Sequence, residues 1–216
     1  MGKGIVLRLA KYKRVLQKLK SLGFVKVFSN NLGDAIGITP ALVRKDLSYI
    51  NLPGNKRGGY CIETLLDRLN EILGNMDSLH IVIVGCGKIG SALMQYREFA
   101  KEGISITAGF DINPDKVDKN PGIPIYHVEE LPEFVSSRNI HIGIIAVPDS
   151  AASQVLDMMT KAGIHAVLNF APVELKGNEK CIIQNVNISL EIENLYYVLH
   201  LDTIQEKIEE TQKTKE

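Results

Sequence analysis

The sequence predicts an α/β protein of two unequal parts, a small helical part at the N-terminus and a larger part built on a parallel sheet. Three observations carry this prediction. Positions 1–76 contain 13 Lys and Arg against 5 Asp and Glu, whereas positions 77–216 contain 12 against 20. Apolar residues recur at helical spacing in the first part, and short β-rich runs alternate with helical patterns in the second. The charge asymmetry favours two domains with different partners over a chance imbalance on solvated surfaces.

Composition places the chain among ordinary globular proteins. Of its 216 residues, 45% are hydrophobic and 23% are charged, which is enough apolar material for two modest cores. No apolar run approaches the roughly 18 residues of a membrane span, and the N-terminus lacks the apolar core of a secretory signal, so no membrane partner is expected. Cys61, Cys86 and Cys181 are odd in number and far apart, which favours a reducing cytoplasm, and no Cys or His pair has metal-ligand spacing.

Helical patterns in the first part predict a helix-turn-helix. The first helix runs from about residue 5 to a stop at Gly23, with apolar positions at Leu9, Tyr12, Leu16, Leu19 and Leu22. A short second helix, capped within 29–31, would end at Gly37. A third would begin at Thr39, whose hydroxyl caps the helix, with Pro40 in the first turn. Two short helices joined by a tight glycine-containing turn are typical of a motif whose second helix enters the major groove of DNA.

The third predicted helix has the two faces that a DNA-recognition helix requires. Its inward positions are expected to be Leu42 or Val43, Leu47 and Ile50, and its outward positions Arg44, Lys45 and Ser48. Arginine and lysine there can read guanine edges or hold phosphates. The alternative is a protein-interaction domain with a solvated basic face. The 12 Lys and Arg of residues 1–60, against Asp34 and Asp46 alone, favour DNA.

A basic hairpin wing is predicted after this helix. In "NLPGNKRGGY", Lys56 and Arg57 are flanked by glycines, which permit the tight turns of a hairpin. Such a tip suits the minor groove or the phosphate backbone of DNA. A final helix over 62–73 would complete a winged helix-turn-helix domain of residues 1–76.

A glycine motif opens the second part. The run "LHIVIV" is followed by Gly85-Cys86-Gly87-Lys88-Ile89-Gly90 and then by a helical pattern through Ala92, Leu93, Tyr96, Phe99 and Ala100. A strand before and a helix after this G-x-G-x-x-G are typical of a dinucleotide-binding loop. Gly85 would make the tight turn, Gly87 would admit the pyrophosphate to the helix N-terminus, and Gly90 would let the helix pack on the strand. Cys86 is interpreted as a small residue in a tight turn, the alternative being a redox-sensitive thiol.

An acidic residue at the end of the next strand favours NAD(H) as the dinucleotide. The strand "ISITAGF" leads into Asp111, 21 residues after Gly90. A carboxylate there accepts hydrogen bonds from the adenosine ribose hydroxyls and repels the 2′-phosphate of NADP(H). The alternative is a solvated strand end.

Further strands complete a Rossmann-type domain over residues 77–188. They are predicted in "IPIYH", "HIGIIAVP", "AVLNF" and "CIIQNV", and their alternation with helices indicates a mostly parallel sheet covered on both faces. At the ends of two of them, Val147-Pro148 and Asn169-Phe170-Ala171-Pro172 are expected to form the second half of the ligand crevice.

The remaining residues predict a regulator that dimerises. Few residues follow Phe170, so there is no room for the substrate domain of a dehydrogenase, and no catalytic residues are expected. The alternatives are a small NAD-dependent oxidoreductase and a nucleotide-regulated protein-interaction module. The helical pattern over 189–216 carries an apolar stripe at Leu195, Leu199, Ile204 and Ile208, which favours a dimerisation helix over one folded back on its own domain. Two DNA half-sites also need two recognition helices.

Six segments together resemble a known family over about residues 5–200. They are "VRKDLSY", "GCGKIGSAL" with Tyr96 and Phe99 behind it, "FDINPDKV", "IGIIAVP", "AGIHAVLNFAP" and "SLEIENLYYVL". The chain resembles the Rex redox-sensing transcriptional repressors. The resemblance implies a homodimer with winged-helix domains, NAD(H)-binding Rossmann domains and C-terminal helices exchanged between subunits. It also implies that palindromic operator DNA is bound when NADH is low and released when NADH binds.

The resemblance also assigns roles to individual residues. Arg44, Lys45 and Tyr49 match the recognition helix, Lys56 and Arg57 the wing, and Gly85, Gly87, Gly90 and Asp111 the cofactor-binding positions. Tyr96 matches a tyrosine near the nicotinamide, and Arg14 an arginine that links the two domains.

The chain departs from the family pattern at one switch position. Asn187 stands where the family usually has an aspartate that pairs with the tyrosine in one state and the arginine in the other. Asparagine cannot form the charge-assisted hydrogen bond of a carboxylate, which is roughly twice as strong. A weaker switch, or one less selective for NADH over NAD⁺, is therefore expected.

Overall fold

The computed structural model describes residues 2–52, 58–74, 79–118, 122–201 and 203–205. The chain divides into two compact units, 1–76 and 77–216. Each unit has its own buried apolar core.

Within its described residues, the first unit contains four helices and one small β-ladder. Its elements are α1 (Lys3–Ser21), β1 (Lys26–Val27), α2 (Ser29–Ile36), α3 (Pro40–Tyr49), β2 (Tyr60–Cys61) and α4 (Ile62–Leu73). β1 and β2 pair antiparallel, with Val27 opposite Tyr60. The predicted wing residues Lys56 and Arg57 lie outside the described residues. All four helices and β1 contribute to the core, whose buried side chains include Leu9, Tyr12, Leu16, Val27, Leu32, Val43, Leu47, Ile62, Leu65 and Leu69.

Local chemistry accounts for the turn between α2 and α3. Gly37 ends α2 at a φ of 73°, a conformation that favours glycine. A Cβ on Gly33 would lie 2.6 Å from the carbonyl oxygen of Ile38, so the close approach of the two helices requires a glycine there. Thr39 Oγ1 accepts a hydrogen bond from the amide of Leu42 at 3.3 Å, and Pro40 occupies the first turn of α3. Both predicted helices are therefore present, and Thr39 caps the second of them as expected.

Two details of this unit differ from the sequence-based expectation. Leu22 lies just beyond α1, which ends at Ser21, and its side chain is exposed. The amide of Leu22 donates to the carbonyl oxygens of Lys18 and Leu19, which closes the last turn of the helix. The cap of α2 is Phe28, and not a residue within 29–31. The Asn31 side chain accepts a hydrogen bond from the Phe28 amide at 3.1 Å, so this asparagine lies in the first turn and braces the cap from inside the helix.

In the described part of the second unit, six parallel strands form one sheet with helices on both faces. Its elements are β3 (Leu79–Val84), α5 (Lys88–Met94), α6 (Glu98–Lys101), β4 (Ile104–Asp111), β5 (Ile125–His127), α7 (Leu131–Arg138), β6 (Ile142–Ile145), α8 (Asp149–Ala162), β7 (Ala166–Asn169), β8 (Ile182–Asn185) and α9 (Ile188–Leu199). The strand order is β5-β4-β3-β6-β7-β8, with every neighbouring pair parallel. This is the order of the dinucleotide-binding doubly wound fold, and the predicted fold class is confirmed.

The strand register brings the predicted ligand residues to one edge of the sheet. Val84 at the end of β3 pairs with Phe110 of β4 and with Ile145 of β6, and Ile145 pairs with Asn169 of β7. The loops after these four strands therefore start side by side. In open parallel sheets, ligands bind at this carboxyl edge, where the strand order reverses.

The helical pattern after the glycine motif is broken into two short helices. We expected one continuous helix through Tyr96, but α5 ends at Met94 and α6 begins at Glu98. The amide of Tyr96 donates to Leu93 O at 3.1 Å, which turns the chain sharply. The turn lets Leu93 and Met94 from α5 and Phe99 from α6 pack against the same apolar cluster on the sheet.

The C-terminal helix α9 exposes most of its apolar residues. None of its residues is buried within the described chain, and Ile192, Leu195, Val198 and Leu199 are each more than three-fifths exposed. The expected continuous helix is also interrupted at His200, whose ring nitrogen Nδ1 lies 2.8 Å from Tyr196 O, a carbonyl that the His200 amide also contacts. Ile208 lies outside the described residues. None of the helices described has both the length and the apolarity needed to cross a bilayer.

Candidate nucleotide site and nucleic-acid interface

The glycine loop after β3 has the shape that a dinucleotide requires. Gly85 has a φ of 96°, and a Cβ there would come within 2.8 Å of the Val147 side chain. A Cβ on Gly90 would overlap the carbonyl oxygen of Gly85, so α5 can pack on β3 only without a side chain at that position. A Cβ on Gly87, by contrast, would meet no heavy atom within 4 Å. The loop is therefore packed on the protein side and open at Gly87, where a pyrophosphate would approach the backbone.

The N-terminus of α5 lies at this open side. Gly87 is the N-cap, and Lys88 and Ile89 are exposed in the first turn. First-turn amides lack partners within the helix and point outward, which favours an anion. The hydroxyl of Ser91 donates to Cys86 O at 3.1 Å and ties the loop to the helix behind it.

Asp111 is the last residue of β4 and lies beside the glycine loop. Its Oδ2 accepts from the amide of Cys86 at 2.8 Å and from Lys116 Nζ at 2.9 Å, and its Oδ1 accepts from the amide of Asn113 at 2.9 Å. Burial opposes ionisation, but the hydrogen bonds from Asn113, Lys116 and Cys86 outweigh it and hold the pKa of Asp111 below its usual value. The carboxylate is thus charged at neutral pH, which strengthens any hydrogen bonds that it accepts from ribose hydroxyls. Sequence reasoning missed Lys116, which "FDINPDK" places one turn beyond the aspartate.

Cys86 is held as a buried packing residue. Its sulfur lies so close to β4 that a Cβ on Gly109 would come within 2.7 Å of it. Burial, followed by the charge of Asp111, raises the pKa of the Cys86 thiol to about 11. A protonated, buried thiol is a poor nucleophile, so the structure favours the small-residue interpretation over a redox-sensitive thiol.

The other half of the crevice is formed by the loops after β6 and β7. Val147 is half-buried against Gly85, Pro148 is exposed and precedes α8, and Phe170 is half-buried. Asn169, predicted to contact the cofactor, is 0% exposed. Its amide nitrogen donates to Val173 O at 2.7 Å and to Asn185 Oδ1 at 2.8 Å, and its Oδ1 accepts from the Ala171 amide at 3.0 Å.

These contacts show how the Asn169 side chain is held. With both ends of its amide bonded inside the protein, it ties residues 170–175 to β8. A direct contact of Asn169 with the cofactor stays a prediction. The pairing of Asn169 with Asn185 across neighbouring strands is a contact that no local pattern reveals.

The proposed switch residues are found in different settings. Tyr96 is 53% exposed in the turn between α5 and α6, with its ring edge-on to Phe99 at 5.1 Å between centroids. Asn187 is the N-cap of α9, and its Oδ1 accepts from the amide of Leu190 at 3.1 Å. Arg14 lies on an exposed face of α1 in the first unit. Asparagine caps helices about as well as aspartate does, so Asn187 retains the capping role.

The outward face of α3 is the candidate nucleic-acid interface. Arg44, Lys45, Ser48 and Tyr49 are all exposed, and Tyr49 is 60% exposed. Lys45, Ser48 and Tyr49 are spaced so that they share one face of the helix. Arg44 donates from its guanidinium to Ser29 Oγ in the first turn of α2 at 3.0 Å, which orients its side chain.

Sequence reasoning missed a buried ionic cluster behind this face. Asp46 of α3 is only 2% exposed. Its Oδ2 accepts from Arg8 Nε at 2.6 Å and from the Tyr12 hydroxyl at 2.9 Å, and its Oδ1 accepts from the other side of the Arg8 guanidinium at 2.8 Å. Burial opposes ionisation, but the bonds from Arg8 and Tyr12 hold the pKa of Asp46 below its usual value. The sequence signal that could have revealed this cluster is an aspartate at an inward, otherwise apolar position of α3.

Metal binding has no support in the part of the chain that the structure describes. No group of three or more His, Cys, Asp or Glu side chains there is arranged to hold an ion.

Comparison with known proteins identifies the family. Residues 3–48 match a family model described as a putative DNA-binding protein N-terminus, and residues 76–173 match one described as a CoA binding domain. The redox-sensing transcriptional repressor Rex of Desulforamulus reducens is 40% identical over 197 residues, which cover 91% of this chain and 94% of that protein. Its counterpart from Syntrophobacter fumaroxidans is 37% identical over 196 residues, covering 90% and 93%.

Solved structures agree with these relatives. The crystal structure of RSP in complex with β-NAD⁺ and operator DNA matches with a TM-score of 0.84 at 30% identity, covering 97% of each chain. RSP in complex with β-NADH matches with a TM-score of 0.78 at 30% identity, covering 96% of this chain and 98% of that one. RSP is described as a Rex-family repressor. Similarity at this level over nearly the whole length shows that this chain belongs to the Rex family of redox-sensing transcriptional repressors.

Proposed function

We propose that this protein is a transcriptional repressor that senses the NADH/NAD⁺ ratio, binds palindromic operator DNA when NADH is low and releases it when NADH binds. The observation that carries the proposal is the presence on one chain of an exposed basic recognition helix and a glycine loop beside an ionised aspartate. Relatives that share more than a third of their residues with this chain are repressors, and RSP has been crystallised with operator DNA, NAD⁺ and NADH.

The residues at the carboxyl edge of the sheet fit NAD(H). The open backbone at Gly87 and the first turn of α5 would hold the pyrophosphate, and Asp111 would accept the adenosine ribose hydroxyls. Val147, Pro148 and Phe170 would shape the space for the nicotinamide. The redox state of the nicotinamide is the signal, and the protein acts as a regulator and not as an enzyme.

The DNA-binding form is proposed to be a homodimer. α9 presents its apolar residues to solvent along its length, which is the surface a second subunit would bury. Two copies of α3 would then meet the two halves of a palindrome, with Arg44, Lys45, Ser48 and Tyr49 facing the major groove. Lys56 and Arg57 would contact the minor groove or backbone. We propose that this activity is cytoplasmic, because operator DNA and free NADH are both found there.

The switch is proposed to involve Tyr96, Arg14 and Asn187. In the family pattern an aspartate alternates between the tyrosine and the arginine. Asn187 can accept a hydrogen bond from either partner but carries no charge, so each alternative is weaker than with a carboxylate. The difference in free energy between the two states of the switch is correspondingly smaller.

A direct test measures binding of the purified protein to a labelled palindromic duplex by fluorescence anisotropy, alone and with NAD⁺ or NADH. The proposal expects tight binding alone, little change with NAD⁺ and release with NADH. Asp111→Ala should bind the duplex normally and lose the response to NADH. Binding that ignores both nucleotides in the wild-type protein would contradict the sensing function, and no binding to any duplex would contradict the repressor function.

A further inference from the structure

We propose that the Arg8–Tyr12–Asp46 cluster is a positioning device that sets the orientation of the recognition helix α3 and so determines how well the protein distinguishes its operator from other DNA. The inference rests on the proposed DNA-binding function and adds three residues that do not face DNA. It concerns discrimination between sequences, which is separable from affinity for DNA in general.

The cluster ties α3 directly to α1. In α3, Asp46 follows the outward-facing Lys45 and precedes the inward-facing Leu47. Its side chain is only 3% exposed. Both carboxylate oxygens meet the fork of the Arg8 guanidinium, and one of them also meets the Tyr12 hydroxyl. Arg8 and Tyr12 lie on successive turns of α1, so Asp46 is bonded to that helix at two points along its axis.

Polar geometry is the reason that this contact constrains orientation. Apolar side chains such as Val43 and Leu47 fix the depth of α3 in the core, but their contacts are non-directional and tolerate small rotations. A bidentate arginine–carboxylate pair fixes both distance and angle. Since Arg44, Lys45 and Ser48 flank Asp46 in the chain, a rotation of α3 would move all three relative to the groove.

Stability alone is a poor explanation of the cluster. Arg8 keeps 28% of its side chain exposed, but burying the Asp46 carboxylate costs much of what its attraction to Arg8 returns, so a buried carboxylate adds little net stability. A carboxylate on a DNA-binding helix is also unfavourable near phosphates unless a cation neutralises it, as Arg8 does here. An orienting role accounts for both features.

The test compares specific with non-specific binding. A preferred duplex is first selected from a random pool with the wild-type protein, and a scrambled duplex of the same composition serves as the reference. Affinities for both are measured for wild type, Asp46→Asn and Tyr12→Phe, with the folded state of each variant verified by thermal unfolding. Glu63→Gln is the matched control, because it makes the same change of charge in the exposed Lys20–Glu63 pair, which joins α1 to α4 and not to α3.

The proposal expects the ratio of operator to scrambled affinity to fall about tenfold in Asp46→Asn, the size of one misplaced base contact. Tyr12→Phe, which removes a single hydroxyl, should lower the ratio about threefold, the size of one hydrogen bond. Affinity for scrambled DNA and its salt dependence should stay near wild type, since phosphate contacts carry them. Glu63→Gln should leave the ratio unchanged.

A wild-type ratio in folded Tyr12→Phe would overturn the proposal, whether or not Asp46→Asn folds. Equal losses on both duplexes would also overturn it, because they indicate damage to the domain as a whole. If the wild-type protein itself selects no preferred duplex, the proposed DNA-binding function fails, and that result is distinct from failure of the positioning role.

Discussion

Each unit of this protein is organised around one buried aspartate, and the two aspartates are held in different ways. Asp46 in the DNA-binding unit is bonded by Arg8 and Tyr12, which lie 38 and 34 residues away in sequence. Asp111 in the nucleotide-binding unit is bonded by two backbone amides and by Lys116, and two of these three donors lie within five residues of it. The first carboxylate is enclosed by side chains of the core, and the second lies at the rim of an open loop.

The difference indicates which carboxylate a ligand can use. Asp46 has no open side and acts only by fixing one helix against another. Asp111 is held by Lys116, a side chain that is itself 39% exposed, and ribose hydroxyls are proposed to replace that contact when a nucleotide binds. Both acids have pKa values below the ordinary aspartate value, yet Asp46 joins two helices and Asp111 is proposed to bind the nucleotide.

The most severe change expected is confined to the nucleotide-binding unit. Gly90→Ala would place a methyl group on the carbonyl oxygen of Gly85, and we expect a loss of about 3 kcal/mol or more in the unfolding free energy of that unit. Gly87→Ala is the control, since its Cβ meets open space: it should fold normally but bind NADH more weakly. Urea unfolding and NADH titration measure both. Equal stability of the two variants would show that the loop is not packed as described.

Removing the Asp111 carboxylate should lower the affinity for nucleotide and leave DNA binding unchanged. In Asp111→Ala we expect NADH affinity to fall by about 2 kcal/mol, the usual size of lost hydrogen bonds to a charged group. Operator binding by the nucleotide-free protein should be unchanged. Isothermal titration and anisotropy provide the two readouts. A parallel loss of both activities would point to misfolding of the variant.

Removing an outward cation of the DNA-binding unit should have the complementary effect. Arg44→Ala is expected to weaken operator binding by about 1–3 kcal/mol if the guanidinium reads a base. Ser29→Ala removes only the hydroxyl that orients it and should cost less. NADH affinity should be unaffected in both variants. Near-normal operator binding by Arg44→Ala would show that another residue of α3 reads the sequence.

Acid should weaken both units through their aspartates. The folded-state pKa values of Asp46 and Asp111 lie below the ordinary aspartate value of 3.8. Their stabilising contribution is therefore complete above that pH and is lost as the pH falls through the lower folded-state values. Urea unfolding from neutral pH to about pH 3 measures this loss. Asp46→Asn should show a shallower pH dependence in the first unit, and an unchanged profile would mean that Asp46 is not the group that titrates.

The smallest effect is expected at the cap of α9. Asn187→Asp keeps the cap and should change stability by only a few tenths of a kcal/mol. It supplies a charge to the proposed switch. The concentration of NADH needed for operator release should therefore differ more from the concentration of NAD⁺ that is needed. Asn187→Ser, which caps without a charge, is the control. Unchanged nucleotide discrimination in Asn187→Asp would contradict the role assigned to this position.

Much of the molecule follows from local patterns in the sequence. The sequence predicted the turn at Thr39 and Pro40, the outward face of α3, the strand before Gly85 and the acid at Asp111. These features could be predicted because caps, helical periodicity and glycine spacing act over a few residues. Family resemblance added Tyr96, Arg14 and Asn187, whose roles remain predictions.

Other features depend on contacts between elements that are distant in the chain. The sequence by itself determined the basic recognition face, the dinucleotide loop and the order of strands and helices. Only the tertiary structure decided that Arg8 and Tyr12 bond Asp46, that Asn185 engages Asn169 inside the protein, and that the chain turns at Tyr96 so that Phe99 reaches the sheet. The physical reason is that a buried polar group must find a partner wherever packing brings one, and periodicity along the chain does not specify that partner.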